Sequence, residues 1–124
     1  MSRRLSLFGV LTALVSMAAA AATFQVTTGS RREPQFSNAH AESWKSTILP
    51  NQPLSLHRHD HGRAIIALTD GTLDIVNGEG ETMKQYTWQA GKAYWLDADP
   101  PGQMHADLNR GSKPLEVIVV ETRQ

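Results

Sequence analysis

Apolar and polar residues alternate in short runs over most of the chain, at positions 44–49, 54–59, 64–69, 72–76, 83–88, 93–96, 103–108 and 115–122. A period of two held over four to eight residues predicts half-buried strands. Turn signals separate the runs: Pro50-Asn51, His61-Gly62, Asp70-Gly71, Asn77-Gly78, Ala90-Gly91, Asp99-Pro100-Pro101-Gly102 and Asn109-Arg110-Gly111. No segment keeps a capped helical period over three turns. Evenly spaced short strands joined by Asp-Gly and Asn-Gly turns predict an all-β domain, a small barrel or a double-sheet jelly roll. Residues 23–40 are polar and weakly patterned, so an N-terminal arm with an edge strand at 24–27 is expected there.

The first 22 residues follow a different pattern. Arg3 and Arg4 open the chain, an apolar run covers 7–17, and small residues fill 18–22. This is the layout of a secretory signal peptide cleaved after Ala22, and it predicts a periplasmic or secreted protein. Gly9, Thr12 and Ser16 interrupt the run, which is shorter than the roughly 20 apolar residues of a spanning helix, so no stable membrane anchor is expected after cleavage. The general secretory route fits better than twin-arginine export, because Ser6 stands where the twin-arginine signal prefers Phe. The expected organisation is a signal peptide at 1–22, an arm or edge strand at 23–42 and one domain at 43–124.

Composition narrows the chemistry. The 124 residues carry 12 Lys+Arg, 12 Asp+Glu and five His, with no Cys. A neutral chain lacks the basic stripe of a nucleic-acid binder, and none is expected as a partner. Without Cys there is no disulfide, thiolate metal site or Cys nucleophile. Loss of residues 1–22, with Arg3 and Arg4, leaves 102 residues and a formal charge of −2. No Ser-His-Asp set, phosphate loop or paired carboxylates stand out.

The histidines carry the strongest signal. In Leu54-Ser55-Leu56-His57-Arg58-His59 strand alternation sets His57 and His59 side by side on one face, able to chelate one divalent ion. The strongest candidate for a third ligand is His105. His61 continues the parity but precedes Gly62 in a turn, so it is expected at the rim; His40 carries no signal. Arg58, between the two histidines, is expected to point into solvent.

Two ordered motifs resemble those of the cupin superfamily. The second is complete as Pro100, Gly102, His105 and Asn109, with Gly91 upstream; the first supplies His57, His59 and the closing Gly71, while Asn51 stands where an opening Gly is expected. The resemblance covers residues 50–121. It implies a jelly-roll barrel of six to eight strands with a metal inside, held by His57, His59 and His105, the ion being Fe, Mn, Ni or Zn. It also suggests a homodimer through edge-strand pairing.

The departure from the family lies beside His59. Ala64, or Arg63 on a shorter count, stands where the family carries a metal-binding Glu, so the implied site is a neutral three-histidine set with open positions. Some cupin thiol dioxygenases likewise use three His and no Glu. Asp107 shares the parity of His105 and is a candidate fourth ligand or an acceptor that orients an imidazole, with a solvated loop carboxylate as the alternative. Arg63 would suit an anionic small-molecule ligand such as a carboxylate. The expectation is nonetheless a surface Arg at a strand start, because Ala64, Ile66 and Leu68 make an equally good inward set. Trp95 is a candidate for the pocket mouth, while Trp88 and Tyr94 read as core. Three classes stay open: a metal oxidoreductase of the dioxygenase kind, a non-catalytic periplasmic module binding a small ligand or metal, and a metal-free structural cupin.

Overall fold

The structure is a computed structural model that describes residues 29–124; the signal peptide expected at 1–22 and the strand expected at 24–27 lie outside the described residues. Eight strands and no helix make up the described chain: β1 (Arg31–Ser37), β2 (Ala41–Ile48), β3 (Arg63–Ala67), β4 (Gly71–Val76), β5 (Thr82–Trp88), β6 (Ala93–Leu96), β7 (Ala106–Leu108) and β8 (Leu115–Thr122). They form two antiparallel sheets, one of five strands in the order β1-β2-β8-β3-β6 and one of three in the order β5-β4-β7. The all-β double-sheet reading of the sequence is therefore correct.

The strand β8 organises the larger sheet. It pairs with β2 without interruption from Ala41↔Thr122 to Ile48↔Leu115 and with β3 on its other edge. Its alternation sends Leu115, Val117 and Val119 inward, where they pack with Trp44, Ile48, Ile65, Leu73 and Trp88 between the sheets. Each such aliphatic side chain contributes about 1.5–3 kcal/mol on burial. Trp88 and the half-buried Tyr94 belong to this core, as their pattern suggested.

Several local expectations are corrected. Residues 54–59 form no strand. Their pairing is reduced to one bridge, in which His57 and His105 exchange backbone hydrogen bonds of 2.8 Å in both directions. Two residues on, the His59 amide donates to the Asp99 carboxylate at 2.7 Å instead of continuing the ladder. The run at 103–108 shortens to β7 because the Gln103 amide turns back to the Pro100 carbonyl at 3.1 Å. Residues 31–37 form β1 although their side chains show no alternation. Their backbone pairs with β2, and the register slips between Pro34 and Phe36, as an edge strand carrying a proline permits.

The parity of β3 is also the reverse of one expected set. Arg63, Ile65 and Ala67 are buried, Ala64 and Ile66 are half-buried, and Leu68 is exposed. Strand register explains this: Arg63 lies opposite Leu96 on β6 and Glu121 on β8, both on inward positions.

Glycine and asparagine fix the turns around the site. Gly71 has φ +154°, and a Cβ there would fall 2.3 Å from Leu115 Cδ2, so the strand can pass the core only as glycine. Asn51 takes φ 56°, the left-handed region that Asn tolerates better than most residues. The need for a positive φ accounts for Asn where the family motif opens with Gly. Asn109 is 2% exposed and acts as a buckle. Its Nδ2 donates to the carbonyls of Ile48 (3.0 Å) and Lys113 (2.7 Å), its Oδ1 accepts from the Gly111 amide, and its own carbonyl accepts from Asn51.

Candidate metal centre

Three segments bring the histidines together. The bridge between residues 57 and 105 sets two imidazoles side by side, with ring centroids 4.5 Å apart. His59 completes the triangle at 4.9 Å from His57 and 5.5 Å from His105. One nitrogen from each ring lies within 4.8 Å of the others, and His59 and His105 are buried. Nitrogens about 2.1 Å from one ion at tetrahedral angles stand about 3.4 Å apart, so the rings must draw together by about an ångström to share a metal.

The hydrogen bonds decide which nitrogen each ring offers. His57 Nδ1 lies 2.7 Å from the Ser55 carbonyl, which only accepts, so the proton is on Nδ1 and the lone pair on Nε2. His59 Nδ1 lies 2.6 Å from Glu121 Oε2, and His105 Nδ1 lies 3.2 Å from Asp99 Oδ2. The Nδ1 atoms of His57 and His59 are thus hydrogen-bonded to an oxygen acceptor, while that of His105 only faces the Asp99 carboxylate. The Nε2 atoms of His57 and His105 are buried without a hydrogen-bond partner. A buried polar atom left so costs about 1–3 kcal/mol, a cost a bound ion would relieve. Carbonyls and carboxylates behind the imidazoles are also the arrangement that orients metal-binding histidines.

Burial favours the neutral form of His59 and His105. The His59 pKa is lowered from 6.5 to about 2, first by burial and then by the positive charge of Arg63. That of His105 is lowered mainly by burial, against the opposing pull of Asp107 and Asp99. Burial raises the Glu121 carboxyl, while Arg63 draws it down. Neutral imidazoles are the form that binds metal.

The other candidate residues fall in distinct places. Asp107, with its side chain 14% exposed, puts one oxygen 3.7 Å from His57 Nε2 and the other 3.6 Å from His105 Nε2, between the two orphaned atoms. That spacing exceeds a hydrogen bond and suits two donors facing a shared ion. His61 is half-buried outside the triangle. Arg63 is no surface residue: it is 5% exposed, donates to the Asp97 carbonyl at 3.1 Å and faces Asp99 at 3.7 Å. Trp95 is 57% exposed, bonds Asp97 through its indole N–H, and borders an outer cleft of about 400 Å³ that His105 also lines. Arg58 does not extend freely into solvent; it bonds Asp60 at 2.7 Å and the Pro100 carbonyl at 3.1 Å, clipping the two histidine segments together.

Two functional carboxylates escaped the sequence reading. Glu121 was legible, because it continues the inward parity of Leu115, Val117 and Val119 along β8. Asp99 carried no periodic signal. It precedes Pro100 in an irregular segment and reaches His59, Arg63 and His105 only through the fold.

The chain is 33% identical over 88 residues to the β-alanine degradation protein BauB of Pseudomonas aeruginosa, a match covering 71% of this chain and 85% of that protein. A cupin domain from Bordetella pertussis superposes with a TM-score of 0.65 at 18% identity, over 81% of this chain and 99% of that one. The chain belongs to the same family as BauB, and its fold is that of the cupins. An RmlC-like cupin from Methanocaldococcus jannaschii gives a TM-score of 0.56 at 14% identity, over 86% of this cupin and 93% of that chain. A double-stranded β-helix protein from Klebsiella pneumoniae gives 0.55 at 20% identity, over 79% and 80%. No protein-family model matches the sequence. No glutamate stands beside His59, but carboxylates lie near the histidines from other elements, Asp107 on β7 and Glu121 on β8.

Proposed function

We propose that the protein is an exported metallocupin in which His57, His59 and His105 hold one divalent ion, of Fe, Mn, Ni or Zn, and that a small molecule binds beside it and undergoes oxidoreductase chemistry of the dioxygenase kind. The observation that carries the reading is the set of three imidazoles within reach of one ion, two of them with Nδ1 hydrogen-bonded to an oxygen acceptor, in which the buried Nε2 atoms of His57 and His105 have no partner among the described residues. When bound, the ion supplies a Lewis acid with coordination positions open to a ligand. The chain's own contribution is to hold the His57 and His59 imidazoles in one tautomer through Ser55 and Glu121, with Asp99 facing His105. The cavity beside His59 has about 30 Å³ of free space, room for about two waters, so a ligand larger than that must reach the centre from a cleft outside it. Similarity to a protein of β-alanine degradation supports a small metabolite as the ligand.

The test is elemental analysis of the protein purified without a histidine tag or a chelating column, together with a His57→Ala/His105→Ala double variant. One metal per chain in the parent and none in the variant is expected. No metal under several loading conditions would favour a structural cupin. Oxygen uptake by the iron-loaded protein with thiol-carboxylates then separates an enzyme from a binding module.

A further inference from the structure

Among the cations around the centre, Arg32 stands apart. It lies on β1, opposite Ser46 of β2, and so faces the cavity that Ser46 also lines. Its guanidinium sits 5.0 Å from the centre of the Trp44 ring, and Trp44 in turn lies parallel to His59 at 6.0 Å. Arg63 is held by Asp97 and Asp99, and Arg31 by Glu33 and the Gly29 carbonyl. Arg32 makes no hydrogen bond or ion pair with any described residue. Arg32 is exposed at the sheet edge, and partial desolvation of its guanidinium against the cavity lowers its pKa, although Asp107 and Glu121 act in the opposite sense from a distance.

Its position connects two spaces. The inner cavity, of about 30 Å³, is bordered by Arg32, His59 and Asp107. An outer cleft of about 410 Å³ is bordered by Ser30, Arg31, Arg32, Leu54, Ser55 and His57. Arg32 is the residue common to both, and no carboxylate lines the outer cleft. The cleft is therefore a cationic vestibule of metabolite size that ends on a face of the histidine cluster.

Charge around the centre points the same way. Asp99, Asp107 and Glu121 outnumber Arg32 and Arg63 by one, and a divalent ion on neutral imidazoles turns that deficit into one excess positive charge. An uncompensated charge in a poorly solvated site is unfavourable, and a monoanion restores neutrality. We propose that the Arg32 vestibule is the ligand site of this cupin and that it takes a small carboxylate, gripped by the guanidinium fork with the rest of the molecule directed at His57 and His59. The anion-binding role expected of Arg63 passes to Arg32. The proposal rests on the metallocupin reading for its charge balance, while the vestibule itself needs no metal.

The probe is propionate, titrated calorimetrically at low ionic strength into metal-loaded and metal-free protein, with propionamide as the neutral isostere and inorganic phosphate as the competing anion. Metal content is measured on every sample, so failure of the metal reading is scored separately from failure of the vestibule. Propionate is expected to bind at least tenfold more weakly to Arg32→Gln than to the parent in both forms, with metal content unchanged. Arg32→Lys, which keeps the charge but loses the fork, should fall between. The Lys variant also keeps the comparison open if the Gln variant folds poorly. Equal propionate affinity in the parent and Arg32→Gln, no preference for propionate over propionamide, or tighter binding of phosphate would each overturn the proposal.

Discussion

Glu121 is the residue on which the centre's tuning turns. Its carboxylate holds the His59 Nδ1–H at 2.6 Å, which fixes the ring and raises the electron density on Nε2. Glu121→Gln keeps an acceptor oxygen and the side-chain size but removes the charge. Metal affinity, measured by competition with a chelating dye, should fall about 10–100-fold while the thermal midpoint of the metal-free protein moves little. Unchanged affinity would mean that His59 takes no part in binding.

The same histidine sets a pH dependence. With the folded His59 pKa at about 2 and an unfolded value near 6.5, the unfolded chain binds a proton between those limits that the folded chain refuses. Stability from this group is complete above about pH 6.5 and is lost as the pH falls. The lowered pKa of His105 acts in the same direction. The raised pKa of Glu121 acts the opposite way, in a pH range above the usual carboxylate pKa. The thermal midpoint of the metal-free protein should therefore drop from pH 7 to pH 5, and more steeply than in a His59→Gln variant, as followed by circular dichroism.

At the scale of elements, strands were legible wherever one face is buried. The runs at 72–76, 83–88, 93–96 and 115–122 match β4, β5, β6 and β8 to within a residue, because apolar alternation and Gly turns both mark them. The pattern failed where backbone pairing or side chains do the work instead. β1 is held by its ladder to β2 and buries little, so nothing in Arg31–Ser37 alternates. Residues 54–59 alternate well, yet the His59 amide is taken by Asp99 and the ladder stops at one bridge. The histidines were legible because a motif carries them. Asp99, Arg32 and the buried state of Arg63 were not, since each depends on which strands become neighbours. Asn109 shows the converse: a motif residue near the metal ligands whose three side-chain bonds go to backbone, tying the turn after β7 to β2.

At the scale of the molecule, the five-stranded sheet contributes Arg32, Arg63 and Glu121, β7 of the smaller sheet contributes Asp107, and the segments between strands contribute His57, His59, Asp99 and His105. The centre therefore forms only when both sheets are closed, and it couples metal affinity to folding. The most direct test is titration of the tag-free, metal-free protein with Co²⁺, followed by its visible absorption. The account predicts bands that saturate at one equivalent per chain in the parent and are absent in His105→Ala at the same concentrations. A parent that develops no bands, or a His105→Ala variant that binds Co²⁺ as the parent does, would contradict it.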